Sequence, residues 1–166
     1  MNRVQSRSGI GFDVHRFSDL SDNRPLVLMG ITIPFGSGLL GHSDADVMIH
    51  ALIDAMLGAA CLGDIGQLFP DSDPAYKNIA STKLLQQTVQ SLHSKGWRVV
   101  HADVGLIGEQ PKIGKYRDAM RERIAPILGI SKDVLNVKAT TTEKLGFIGR
   151  CEGLAAQAIV TIELHD

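Results

Sequence analysis

The chain has 166 residues and a formal net charge of −1. That length suits one domain with a sizeable core, and the balanced charge gives no general attraction to nucleic acid or to an anionic membrane. Arg3 and Arg7 near the start are too sparse for a binding arm, and no apolar run has the length of a signal peptide or a membrane span. The two cysteines, Cys61 and Cys151, make neither a disulfide framework nor a thiolate metal site, so a reducing compartment is expected. Any metal must then rest on histidine and carboxylate.

Residues 1–8 read as a loose terminus. Residues 10–17 (IGFDVHRF) alternate as a strand does, with Phe12 and Val14 on one face and Asp13 and His15 on the other. A polar loop follows at 18–25. Two short apolar pieces, 26–29 and 31–34, flank Gly30 as a hairpin or bulge. After a flexible connection at 36–41, Ser43 suits a helix N-cap, and Asp46 three residues on completes the look of a capping box. Val47, Met48, Ala51, Leu52, Ala55, Met56 and Ala59 form a wide apolar face at helical spacing, and Gly63 is the expected stop. Residues 64–73 read as a loop. Ser81 opens a second helix that ends near Gly96, residues 97–107 form a strand, and 108–110 turn. Pro111 fits the first position of a third helix running to Leu128, with Pro126 disturbing its last turn. Ser131 caps a brief turn, 135–140 is a strand, 142–145 a turn and 146–153 a glycine-rich loop. The final strand lies within 153–164.

This order predicts one α+β domain over residues 1–166, a mixed β-sheet with helices packed on one face. The last strand is apolar on both sides, with Ala156, Ala158, Val160 and Ile162 on one and Ala155 and Ile159 on the other. Helices cover one side only, so a second subunit is expected on the other.

The densest chemistry lies in residues 41–73, which hold His42, His50 and six carboxylates. Asp13-x-His15 projects both side chains from one strand face, which suits two ligands on one ion. An isolated pair of this kind is more often an exposed Asp and His. His50 sits in the helix with Asp46 at i−4 and Asp54 at i+4, and a carboxylate there can hold its far nitrogen. Asp, His, His without cysteine suits zinc with one open position, and a helix histidine paired with Asp54 for stability competes evenly with that reading. His42 lies about 12 Å along the helix from His50. It reads as a phosphate contact, as a second catalytic group or as an exposed loop histidine. Asp64 in Gly-Asp-Ile-Gly can meet a polyol hydroxyl or close a simple turn. Thr140, Thr141 and Thr142 can donate to phosphate, and Glu143 can hold a hard cation; an ordinary capped strand end is the alternative. Arg150 is an anion candidate or a solvated charge, and Pro111-Lys112 can meet phosphate or, more simply, open a helix.

Three motifs, GFDVHRF, GHSDADVMIHALIDAMLGAACLGDIGQLFPDSD and VKATTTEKLGFIGR, resemble in sequence and order the 2-C-methyl-D-erythritol 2,4-cyclodiphosphate synthases of the non-mevalonate isoprenoid pathway. The similarity runs over residues 9–164. It implies a homotrimer with active sites between subunits. It implies zinc, one per subunit, on Asp13, His15 and His50, with a substrate phosphate oxygen in the fourth position. Glu143 would help hold magnesium or manganese between phosphates, and His42 and Thr141 would stabilise the transition state. Ser43, Asp64, Ile65, Gly66, Phe69, Asp71 and Asp73 would line the methylerythritol side. Pro111, Lys112, Ile113, Gly114, Thr140 and Thr142 would hold the cytidine diphosphate part. Phe147 and Arg150 would lie near a central cavity that accepts isoprenoid diphosphates in some members. Cys151 departs from the glycine expected beside Arg150. Some members are fused to a cytidylyltransferase; for a chain of this length such coupling would be non-covalent. A bacterial cytoplasm or, for a processed chain, a plastid stroma is implied.

The implied reaction is a cyclisation that releases CMP and needs no protein nucleophile, in keeping with the lack of a serine or cysteine triad. Two rivals use the same residues. A zinc hydrolase would need a general base near the open position, and a non-catalytic isoprenoid-diphosphate-binding module would use Phe147 and Arg150 and form no CMP.

Overall fold

The computed structural model describes residues 5–165, which leaves Arg3 outside the described residues. In chain order the elements are β1 (Ser6–Arg16), β2 (Leu26–Leu28), β3 (Ile31–Ile33), α1 (Val47–Ala60), α2 (Ile65–Leu68), α3 (Ser81–His93), β4 (Trp97–Ile107), α4 (Arg117–Leu128), β5 (Leu135–Thr140), α5 (Gly146–Gly149) and β6 (Gly153–Leu164). The four-stranded sheet runs β1-β6-β4-β5. Its first two pairings are antiparallel and β4-β5 is parallel, so the sheet is mixed and the fold α+β, as the element order predicts. β2 and β3 form the expected hairpin around Met29 and Gly30, both at positive φ.

The strongly amphipathic stretches fall where their periods place them; the boundaries move for local reasons. β1 begins at Ser6, inside the segment expected to be loose. The long β6 offers partners that far back, and Ser8 Oγ meets Thr161 Oγ1 at 3.0 Å. The N-cap of α1 is Asp46, whose carboxylate accepts from Ile49 N–H at 3.1 Å. Ser43 is excluded because Ala45 takes a left-handed turn (φ 58) between it and the helix. The helix stops at Cys61 (φ 56) rather than Gly63, with Leu62 N–H closing onto Leu57 O at 2.9 Å. Pro111 does not open α4. Buried Ile113 pins the chain first, a tight turn follows at Gly114–Tyr116, and α4 starts at Arg117. The segments expected as plain loops at 64–73 and 146–153 contain the one-turn helices α2 and α5.

The core lies between the sheet and the helices in one continuous cluster. Helix α1 is buried nearly all round, and only His50, Asp54 and Gly58 interrupt that burial, at i, i+4 and i+8. It lies directly on β1. A Cβ on Gly11 would stand 1.9 Å from Ala51 O, so the backbone approach requires glycine there. The alternation in β4 changes phase at a bulge between Val99 and His101. Trp97 and Val99 are buried before it, and Ala102, Val104 and Leu106 after it. Ala156, Ala158, Val160 and Ile162 of β6 face the helices. On the opposite face Ile10 (63%), Phe12 (55%), Val14 (42%) and Ile159 (46%) are exposed.

Candidate metal centre and active-site pocket

The polar face of β1 is the one turned toward α1, which brings Asp13 and His15 to His50. The three converge through one atom each. Asp13 Oδ2 lies 2.9 Å from His15 Nε2 and 3.1 Å from His50 Nδ1, and the two nitrogens are 3.1 Å apart. These separations come close to the edge of a tetrahedron with bonds of zinc–nitrogen length, about 3.3 Å. Asp13, His15 and His50 form the metal-capable group found among the described residues. The donor set suits a divalent cation. Three lone-pair atoms meet with no fixed donor between them, an arrangement that is repulsive unless a proton or a cation occupies it. Without a metal, burial pushes Asp13 up, but hydrogen bonds from His15 and His50 outweigh it and hold the carboxyl at about 2. Burial disfavours the His15 imidazolium, and its hydrogen bond to Asp13 reverses this, so the ring holds its proton above the usual range. A cation at the cluster displaces that proton.

The second nitrogens are held differently from the sequence expectation. His15 Nδ1–H donates to Leu40 O at 2.6 Å, in a segment fixed beside β1 by the Phe17–Leu39 bridge. His50 Nε2 meets neither Asp46 nor Asp54. Asp46 accepts from Gly30 N–H (2.7 Å) and Ile49 N–H, and Asp54 accepts from Ile65 N–H (2.7 Å). The partners of Nε2 are instead Ser43 Oγ and Ser81 Oγ, both at 3.0 Å.

The cluster opens into a cavity of about 240 Å³ lined by His42, Ser43, Ile65, Gly66, Phe69 and Asp71 as well as the three ligand candidates. Tyr76 and Leu84 also line it, and nothing in their local sequence singled them out. The His42 loop is clamped. Arg24 Nη2 donates to Gly41 O (3.3 Å) and to Ser43 O, and Asn78 N–H donates to His42 O (2.8 Å). His42 Nε2 is buried with no partner among the described residues. Asp64 and Asp73 lie outside the lining. Asp64 caps α2 and binds Gln67 through both oxygens, and Asp73 accepts from Ala75 N–H at 2.9 Å.

A second hollow of about 250 Å³ gathers Pro111, Lys112, Ile113, Gly114, Thr140 and Thr141. Beside it Thr141 Oγ1 donates to Glu143 Oε1 at 3.0 Å, and Thr142 Oγ1 donates to Leu145 O at 2.7 Å. Glu143 and Lys144 are both left-handed (φ 53 and 63). Glu109 holds this turn, with its Oε1 accepting from Thr142 N–H and Lys144 N–H, each at 3.1 Å. No local pattern around Glu109 signals that role. Phe147 is exposed, and Arg150 Nε donates to Glu152 Oε1 at 2.7 Å. Cys151 takes φ 57, a conformation glycine adopts without strain. Across the sheet Val14, Ala155, Ile107 and Thr140 stand in register, so the two hollows lie about three strand spacings, roughly 14 Å, apart.

Residues 6–163 match the YgbB family. A 2-C-methyl-D-erythritol 2,4-cyclodiphosphate synthase of Desulfatibacillum aliphaticivorans is 57% identical over 157 residues, 95% of this chain and 99% of that one. The structure of bifunctional IspDF from Campylobacter jejuni matches with a TM-score of 0.93 and 44% identity over 99% of this chain and 44% of the other. The complex of Plasmodium falciparum IspF with CDP matches with a TM-score of 0.83 and 30% identity over 97% of each chain. The chain therefore belongs to the YgbB family, with the 2-C-methyl-D-erythritol 2,4-cyclodiphosphate synthases among its near relatives.

Proposed function

We infer that the chain converts 4-diphosphocytidyl-2-C-methyl-D-erythritol 2-phosphate to 2-C-methyl-D-erythritol 2,4-cyclodiphosphate and CMP, the activity its relatives are named for. The observation that carries this reading is the Asp13-His15-His50 cluster opening onto a cavity that His42 also lines, with its Nε2 buried and unpartnered among the described residues. An oxygen of the substrate's 2-phosphate bonds to the β-phosphorus. The bond from that phosphorus to the bridging oxygen breaks, and its electron pair leaves on CMP.

Asp13, His15 and His50 would hold zinc, and Glu143 would share a magnesium or manganese ion. These cations supply charge neutralisation between phosphates that otherwise repel. The protein's own residues position the rest. His42 and Thr141 donate to the oxygens that gain charge as the bond shifts. Ser43, Ile65, Gly66, Phe69 and Asp71 enclose the methylerythritol part, with Asp64 and Asp73 shaping the rim. Pro111, Lys112, Ile113, Gly114, Thr140 and Thr142 take the cytidine diphosphate, a ligand the P. falciparum relative is named as binding. The attacking oxygen belongs to the substrate's own 2-phosphate, so the product is cyclic, which separates this chemistry from a zinc hydrolase using bound water.

The distance between the two hollows supports a homotrimer in which each site is completed by a neighbouring copy. So does the exposed apolar face of β1 and β6. Phe147 and Arg150 then face a central cavity suited to an isoprenoid diphosphate. Among the described residues no helix is long and apolar enough to cross a membrane.

His50→Ala tests the cluster. It is expected to lose bound zinc and to lower CMP release at least 100-fold while the oligomer survives. Unchanged turnover in metal-depleted H50A protein would remove the metal from the mechanism.

A further inference from the structure

His15 and His50 present opposite ring nitrogens to the cluster, Nε2 from His15 and Nδ1 from His50. A ring can offer a lone pair at one nitrogen only if the proton sits on the other. For His15 a backbone carbonyl settles this, since Leu40 O can only accept. His50 has no such partner. Its Nε2 faces two hydroxyls, and a hydroxyl can donate or accept.

The ambiguity is resolved one bond further away. Ser81 is fully buried at the start of α3, and its hydroxyl donates to Asp44 Oδ1. A serine has one hydroxyl proton. Once that proton is committed to Asp44, Ser81 Oγ can only accept from the ring, so Nε2 carries hydrogen and Nδ1 turns its lone pair to the cluster. Asp44 is itself fixed. Its Oδ2 accepts from Ser81 N–H at 3.0 Å, its Oδ1 accepts from Asp46 N–H at 3.2 Å, and its own N–H donates to Ile79 O at 3.1 Å. Ser43 does not compete for control, because its Oγ already accepts from Ala45 N–H at 3.1 Å and either sense of its bond to His50 is open.

We propose that Ser81 and Asp44 are positioning residues of the metal centre, a serine–carboxylate relay that holds His50 as the Nε2–H tautomer. This rests on the metal reading of Asp13, His15 and His50. The relay draws its two members from different places, Asp44 from the loop before α1 and Ser81 from the start of α3. Removing such an outer partner costs about 10- to 100-fold in metal affinity.

The test compares wild type, Ser81→Ala and Asp44→Asn by competition of a chelator for zinc, with the melting temperature of each metal-free protein measured alongside. NMR of the His50 ring N–H in the zinc-loaded protein reports the hydrogen bond itself. S81A keeps the Asp44 bond to the backbone N–H of residue 81, so its metal-free stability should change little. Its zinc affinity is expected to fall about 10- to 100-fold, and the His50 ring N–H signal should shift or broaden through exchange with water. D44N should lose affinity in the same direction. Wild-type affinity in both variants with an unmoved ring signal would overturn the relay and leave the metal centre standing. Failure of the wild-type protein to take up zinc or cobalt would overturn the metal reading and the relay with it. If S81A does not fold, D44N alone decides by the same two readouts.

Discussion

Asp46 is fully buried at the N-terminus of α1. Burial pushes its carboxyl up to about 6. Donors at Gly30 and Ile49 pull the other way without cancelling the rise, and the charge of Asp44 adds to it. The folded-state value lies above the unfolded 3.8, so the neutral form favours folding. The contribution is complete below pH 3.8 and is lost as pH rises through 6. The stability of wild type relative to Asp46→Asn should therefore fall by on the order of 3 kcal/mol between pH 4 and pH 7, read by urea unfolding at fixed metal concentration. A difference that stays flat across that range would show that Asp46 is not strained by its charge. At this scale the sequence exposed residue types better than partners. Asp13, His15 and His50 are legible because strand and helix spacing place them on defined faces. That Ser81 would meet His50, or that Glu109 would hold the Thr142–Lys144 turn, depends on contacts 31 and 33–35 residues apart in the chain, which no local pattern encodes.

The seating of α1 on β1 decides whether the cluster forms. Gly9 and Gly11 let the helix backbone touch the strand, and the next two residues with the same orientation are Asp13 and His15. Gly11→Ala would drive a methyl into Ala51 O at 1.9 Å and Ala55 N at 2.7 Å, atoms that cannot move without the helix. The variant should lose about 3 kcal/mol, the upper range for overpacking, and bind zinc more weakly because His50 retreats from Asp13 and His15. Wild-type melting temperature together with wild-type zinc affinity would contradict this. The long elements were legible because their periods are strong. The one-turn helices α2 and α5 were not, since four residues carry no period. The bulge in β4 was hidden because Val99 and Val100 are both apolar and fit either phase.

The molecule as a whole is apolar where a soluble monomer should be polar. Ile10 pairs with Ile159 across β1 and β6, with Phe12 beside them, and all three are exposed. A patch of this kind marks an interface. Phe12→Glu should convert the proposed trimer to monomers in analytical ultracentrifugation and abolish turnover, with the Asp13-His15-His50 cluster still able to bind a divalent cation. A trimer that survives F12E would place the interface elsewhere. The apolar character of both faces of β6 made an apolar second face legible in the sequence, and Ile159 on that face is exposed. The separation of the two hollows was not, because it follows from the strand order, and β5 lies at the far edge from β1.

The most direct measurement is incubation of the metal-loaded protein with 4-diphosphocytidyl-2-C-methyl-D-erythritol 2-phosphate, following phosphorus NMR and CMP together. One cyclic diphosphate should form for each CMP released. CMP appearing with an uncyclised phosphate product, or substrate bound and returned unchanged, would contradict the account.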